Sequence, residues 1–327
     1  REKSDKALLR AKSLTDARRA VEWGEGNERL LAILEKAEKE LAPDAFWLTE
    51  AGRLLYETDN KELQDHARRF LEKATTLDTK RAYEALYYLY LIETRNSDIG
   101  WTKSIKTIVE RAEKAGDTDN VFLYISRARE AEKAGDLQRA LDYAKRAKKK
   151  GSKIFLTWSI CGYFRWKTGD PDGAIEDFTK AIEMKPKDAV SLRYRGDVYS
   201  EKKNFEKAIE DYTRSLSIRS DKAWVWFYRG YARLEKNDPD GAIEDFTQAI
   251  KRDPEQAGFW NFRGIAFFRK GNFEEAVADY SKALELSPND SDILNNRGNA
   301  RRKNGDLEGA IKDLSRVIAL SPDGFPG

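Results

Sequence analysis

Side chains with catalytic or metal-binding chemistry are scarce in this chain. One cysteine, Cys161, one histidine, His66, and one methionine occur among 327 residues. A single thiol forms no internal disulfide, and with one imidazole there is neither a Cys/His zinc set nor a multi-histidine metal centre. His66 lies in the helical stretch KELQDHARRFLEKA, where a solvated or satisfied helix residue is expected rather than a catalytic base. The chain contains no G-x-x-x-x-G-K-[ST] phosphate loop, no G-x-G-x-x-G after a strand and no G-x-S-x-G nucleophile elbow. No catalytic residue, cofactor or metal is expected, and the chain is read as a non-enzyme.

What the sequence offers instead is recurrence. Gly162, Gly196, Gly230, Gly264 and Gly298 stand 34 residues apart, as do Ala140, Ala174, Ala208, Ala242, Ala276 and Ala310. Six units of 34 residues follow without a gap from Val121, Phe155, Ala189, Ala223, Ala257 and Ser291. Each places an aromatic or Leu at position 4, Gly or Ala at position 8 and Ala at position 20, often with Pro at position 32. Small residues at positions 8 and 20 let two helices approach closely. Gly135, Gly169, Gly271 and Gly305 end a first helix, while Asp170 with Pro171 and Asp238 with Pro239 open a second.

This pattern resembles the tetratricopeptide repeat over residues 121–324. The resemblance implies an all-α solenoid of antiparallel helix pairs, stacked into a right-handed superhelix whose first helices line a concave groove. Upstream, LLAILEKAEKELAPDA and ARRFLEKATTLD keep fragments of the pattern, with Leu30, Leu34, Ala37 and then Ala67, Leu71, Ala74 at matching spacing. AYEALYYLYLIETR and WTKSIKTIVERAEKAG are read as a further helix pair. Residues 1–120 are therefore expected to form degenerate repeats, residues 121–324 six regular ones and residues 325–327 a tail.

Composition is compatible with such a fold. With 36% charged and 11% aromatic residues the chain reads as soluble and folded. Sixty basic against 57 acidic residues leave +3, too little to point to nucleic acid or an acidic membrane. No apolar run reaches spanning length and no signal peptide is visible, so a soluble compartment is expected and its identity is unknown. A first residue of Arg is read as a mature product or an excised piece.

Two series carry the interaction chemistry. Position 7 holds Arg127, Cys161, Arg195, Arg229, Arg263 and Arg297, and position 23 holds Tyr143, Asp177, Asp211, Asp245, Asp279 and Asp313. Because Cys161 and Tyr143 lack the charge together, the expected register joins each Asp to the Arg of the next repeat, Asp211 to Arg229 for example. Cys161 is then a small buried residue. The second series is the stripe at positions 2, 5, 9 and 12, which in tetratricopeptide arrays faces the groove. Its candidate partner-binding residues are Tyr163, Trp166, Arg193, Asp197, Trp224, Phe227, Tyr231, Asn261, Phe268, Asn295 and Asn299. Large aromatics on a face meant only for water are unusual and mark contact surfaces. The rival reading is that positions 2 and 5 pack on the neighbouring repeat, or that N-terminal helices fold over the groove.

A protein or peptide partner in the groove is the expected function. The alternatives are a regulatory or recruiting arm of a larger enzyme and, disfavoured by the charge balance, a nucleic-acid binder. The carboxylate clamp of Hsp90 and Hsp70 co-chaperones is not expected: where it wants Lys and Asn at positions 5 and 9 and Asn at position 6 of the next repeat, this chain has Arg193, Asp197 and Tyr228. The basic run AKRAKKKGSK is read as a solvated helix end. The apolar spacing of Leu307, Ala310, Ile311, Leu314 and Ile318, ahead of Pro322, Gly324 and Pro326, predicts self-association through the C-terminal end or a missing C-terminal segment.

Overall fold

The structure, a computed structural model, describes residues 2–22, 26–41, 43–58, 60, 62–77, 85, 88–89, 92, 109–110 and 121–320. Apart from residues 85, 88–89, 92 and 109–110, the expected helix pair over residues 82–116 lies outside the described residues, as does the Pro/Gly tail after residue 320. Chain contacts divide the protein into residues 1–134 and 135–327. The 34-residue unit that begins at Val121 thus has its first helix in one part and its second in the other.

In residues 1–134 the described helices are α1 (Glu2–Glu22), α2 (Asn27–Leu41), α3 (Ala45–Glu57), α4 (Leu63–Leu77) and α5 (Val121–Lys133). The upstream pattern fragments fall on the buried faces of α2 and α4: Leu30, Leu34 and Ala37 on one, Ala67, Leu71 and Ala74 on the other. Close approach of α3 to α4 rests on Gly52, where a β-carbon would stand 2.5 Å from Leu71 Cγ. Asp44 caps α3 by accepting from the Trp47 amide at 2.9 Å. Glu50 is held between Arg18 and Arg53, at 2.7 and 2.8 Å. Burial opposes its ionisation, yet hydrogen bonds and charge from the two arginines outweigh that cost, and its pKa lies below the ordinary value.

Residues 135–327 hold α6 (Leu137–Lys150) and five helix pairs: α7 (Phe155–Lys167) with α8 (Pro171–Met184), α9 (Ala189–Glu201) with α10 (Phe205–Ile218), α11 (Ala223–Glu235) with α12 (Pro239–Arg252), α13 (Ala257–Lys270) with α14 (Phe273–Leu286), and α15 (Ser291–Lys303) with α16 (Leu307–Leu320). Each second helix also packs on the next first helix, and successive first helices touch one another. The array is therefore a solenoid in which the second helices ahead of α16 bury their apolar stripe against the following repeat. The punctuation is local. Asp170 and Asp238 accept from the amides of Gly173 and Gly241 at 2.9 and 3.0 Å, just ahead of a first-turn proline. Gly169 and Gly271 take the left-handed conformation that ends a first helix, and Lys203 and Asn237 adopt it without being glycine.

Within a pair, the small residue at position 8 meets the side chain at position 24, aromatic in four pairs and Leu314 in the last. A β-carbon on Gly196 would lie 2.8 Å from the Tyr212 ring, and one on Gly264 2.7 Å from Tyr280. This tight contact also sets the ion-pair register, and the expected register is wrong. Asp211 pairs with Arg195 of its own repeat through two hydrogen bonds of 2.7 and 2.8 Å, and Asp245 with Arg229 at 2.9 and 2.6 Å. Asp279 with Arg263 and Asp313 with Arg297 do the same. Positions 7 and 23 face each other across the close helix contact, so the fork of the guanidinium meets the carboxylate directly. The tie to the preceding repeat runs through a hydroxyl instead: Arg195 Nη1 donates to Thr179 at 2.9 Å and Arg229 Nη1 to Thr213 at 3.1 Å. Where Cys161 removes the arginine, Lys148 from α6 supplies the charge, 2.8 Å from buried Asp177. Cys161 itself is buried, and burial, with the Asp177 charge second, pushes its thiol up to about 12, which keeps it protonated and unreactive.

Candidate functional site

The stripe proposed from sequence divides when its side chains are placed. Leu156, Ser159, Val190 and Leu234 are buried, and Ser191 donates to Ser159 at 2.9 Å across the repeat boundary, so these four belong to inter-repeat packing. Phe227 is half-buried and meets Phe246, Phe259 and Phe262 with ring centroids 5.6, 5.2 and 5.1 Å away. It too is chiefly a packing residue.

The others form two neighbourhoods on the first helices. The first is aromatic with one charge pair at its centre. On α7, half-buried Tyr163 and Trp166 lean on Tyr194 of α9, at 5.2 and 6.3 Å, and the Trp166 indole N–H donates to Glu201. Arg193 stands one helical turn before Asp197, donates to it at 2.9 Å and lies 3.9 Å over the Tyr194 ring. Asp197 takes a second hydrogen bond, 2.9 Å, from the Tyr212 hydroxyl. Burial pushes the Asp197 carboxyl above its ordinary value, against the pull of Arg193 and Tyr212. The Tyr228 hydroxyl is likewise pushed up, by burial first and then by the Asp197 charge. Trp224 closes this neighbourhood on α11, its ring 6.0 Å from Tyr228 and 4.8 Å from Phe259. It is 46% exposed, while Leu156 and Val190 at the same repeat position are 1% and 9% exposed. Tyr231 is half-buried between Phe205 and Phe262.

The second neighbourhood is amide-rich. Asn261 of α13 accepts from Asn296 of α15 at 3.1 Å, and Asn299 donates to exposed Asn295 at 3.5 Å. Phe268 sits apart from it near the end of α13, edge-on to Phe273 at 5.4 Å.

Three contributors were missed from sequence: Tyr194, Tyr228 and Asn296. All occupy position 6, and the signal was in view, because Tyr194, Tyr228 and Phe262 recur there in consecutive repeats. The arrangement offers flat ring faces around a neutralised Arg–Asp pair, then amides that each present a donor and an acceptor. Ring faces are chemically suited to apolar side chains and amides to main-chain peptide groups. Among the described residues no group of three or more His, Cys, Asp or Glu is arranged to hold a metal ion, and no helix is long and apolar enough to cross a membrane.

Comparison with known proteins places this geometry. Residues 158–188, 196–237, 229–291 and 280–312 each match a tetratricopeptide repeat family. No curated protein matches the chain by sequence. Among solved structures, the MamA protein aligns with a TM-score of 0.51 at 20% identity, over 52% of this chain and 93% of its own. YrrB, described as a TPR protein with an unusual peptide-binding site, aligns with a TM-score of 0.51 at 17% identity, over 55% of this chain and 93% of its own. PilF of Pseudomonas aeruginosa aligns at 0.54 and 16% identity, over 62% of this chain and 93% of its own. At these identities the likeness is one of fold. With the 34-residue register, the stacked helix pairs and the family matches in agreement, residues 158–312 form an array of tetratricopeptide repeats.

Proposed function

We propose that this protein is a non-catalytic scaffold that holds a peptide or protein segment along the first helices of its regular repeats. The observation that carries the reading is Trp224, half exposed at a repeat position where the two preceding repeats bury Leu156 and Val190 and the two following ones carry no large apolar side chain. An indole left in water beside Tyr228 and the Arg193–Asp197 pair has the character of an interface anchor. In this reading Trp166, Tyr163 and Tyr231 extend the apolar floor, Arg193 and Asp197 orient the segment, and Asn261, Asn295 and Asn299 hold its backbone, with Phe268 at the far edge. A structural neighbour described by its peptide-binding site lends the fold-level support. Residues 1–120 act as degenerate repeats preceding the binding array of residues 121–324. The groove lacks the residues of the carboxylate clamp, so an apolar internal segment fits it better than an acidic chaperone tail.

The test starts from a peptide selected by display on the immobilised full chain. Trp224→Ala is expected to weaken that peptide by about 2 kcal/mol, the size of an aromatic hot spot, while melting changes little. Phe227→Ala is expected to do the reverse, costing roughly 3 kcal/mol of stability as a core truncation. Unchanged binding to Trp224→Ala, or a core-sized stability loss from it, overturns the reading.

A further inference from the structure

We propose that the outer face of α6 docks an acidic segment of a partner protein. This surface is separate from the groove and does not depend on the groove reading. Helix α6 is chemically unlike the other second helices. Its residues 137–150 carry six Lys or Arg against Asp142 alone, whereas α8 and α14 each carry one base against four acids.

Helix-end electrostatics explain only part of that excess. Lys148, Lys149 and Lys150 sit in the last turn, where the dipole favours cations. Arg139 sits in the first turn, where it disfavours them, and Lys145 and Arg146 lie between the ends. Internal pairing accounts further for one of those last-turn residues. Lys148 occupies the repeat position held by Ile182, Leu216, Ile250 and Leu284 in later repeats, and it is committed to Asp177 at 2.8 Å. Arg139, Lys145, Arg146, Lys149 and Lys153 are all exposed.

The face is also ordered. Where later repeats bury Asp177, Asp211 or Asp245, α6 has Tyr143. Its ring lies between two guanidiniums, those of Arg139 and Arg146, each 5.8 Å from its centroid, and its hydroxyl accepts from Arg139 at 3.5 Å. Arg139, Tyr143 and Arg146 follow the i, i+4, i+7 spacing of one helix face, and Lys149 continues it. From Arg139 to Lys149 this cationic row spans about 15 Å of helix at 1.5 Å per residue.

Width decides what the row accepts. The neighbouring α8, whose adjacency is fixed by the Lys148–Asp177 pair, exposes Asp172, Glu176 and Glu183. A nucleic-acid duplex or a bilayer surface broad enough to reach past α6 would meet those carboxylates. With a net charge of +3 the whole chain supplies no long-range attraction to offset that. A single acidic strand or helix lies along α6 without reaching α8, and its carboxylates meet ammonium and guanidinium groups already held in line.

The test is fluorescence anisotropy of the full chain with a fluorescein-labelled Glu-rich peptide, run beside a labelled DNA duplex and beside phosphatidylserine vesicles. The peptide is expected to bind, to weaken as salt rises, and to lose at least about tenfold in affinity with Lys145→Glu, Arg146→Glu and Lys149→Glu combined. A second triple variant with the same charge change elsewhere, Lys251→Glu, Lys303→Glu and Lys312→Glu, is expected to keep the affinity within about twofold, as is Trp224→Ala. Should the α6 reversal melt early, Gln at the same three positions replaces it. The proposal is overturned by absence of peptide binding, by equal losses in the two triple variants, or by duplex or vesicles binding more tightly than the peptide.

Discussion

Each position-7 arginine from Arg195 onward is a joint between three helices rather than a surface charge. Arg229 gives two hydrogen bonds to Asp245 of its own repeat and one to Thr213 of the preceding repeat, and both members of the ion pair are buried. Burial pushes the Asp245 carboxyl above its ordinary value, although Arg229 and Arg233 act to lower it. The pair therefore fixes how the helices meet more than it adds stability. A double-mutant cycle is expected to find at least about 1 kcal/mol of coupling between Asp211 and Arg195, and less than about 0.5 kcal/mol between Asp211 and Arg229. Chemical denaturation of the singles and doubles to Ala measures both, and the opposite ranking would restore the inter-repeat register. Asp197 sets a pH signature at the same scale. Its folded pKa lies above the ordinary carboxylate value, so its contribution is fully present below that ordinary value and is lost as pH rises through the folded one. Asp197→Asn should therefore look relatively more stable, compared with the native chain, at about pH 7 than at about pH 4. A constant difference between the two across that interval would mean that Asp197 titrates as an exposed carboxyl.

At the scale of the helix pair, the glycines separate into those that close a contact and those that do not. Gly264→Ala would drive a β-carbon into the Tyr280 ring and is expected to cost about 1–3 kcal/mol by overpacking. Gly258, near the start of the same helix, has open space around the position of a β-carbon, so Gly258→Ala should stabilise by about 0.5–1 kcal/mol. Melting of the two variants checks the opposite signs. The same helix pairs show what the sequence could reveal. Register, caps and turns were legible because a 34-residue period repeats local chemistry: a capping Asp, a proline in the first turn, a small residue at the helix contact. The Arg–Asp partners were not legible, because either register satisfies the same spacing. The deciding group was Lys148, which compensates for Cys161 from a position occupied elsewhere by Ile or Leu. The candidate site was legible as a face and not as a cluster. Periodicity placed Trp224, Arg193 and Asp197 on it, but which of its side chains turn inward, as Phe227 does, depends on contacts with the next repeat.

At the scale of the array, each second helix is met by the next first helix, and α16 is the last helix among the described residues. Each earlier second helix lays its apolar row under the next first helix: Ile182, Ile250 and Leu284 are 6–7% exposed. Ile318 holds the same repeat position on α16 and is 65% exposed. Ile311, whose counterparts Ile175, Ile209, Ile243 and Val277 are half-buried, is 67% exposed, and Leu307 adds to the same end of the helix. Those side chains have the pattern that elsewhere in the array is met by another helix, and self-association through this face is the outcome to be tested. Sedimentation equilibrium is expected to show a mass that rises with protein concentration. Ile311→Lys combined with Ile318→Lys should return the monomer mass without lowering the melting temperature, because neither side chain is buried in the single chain. Charged substitutions that also unfolded the array would instead mean that Ile311 and Ile318 pack within their own chain. A native mass independent of concentration would remove self-association through α16 altogether.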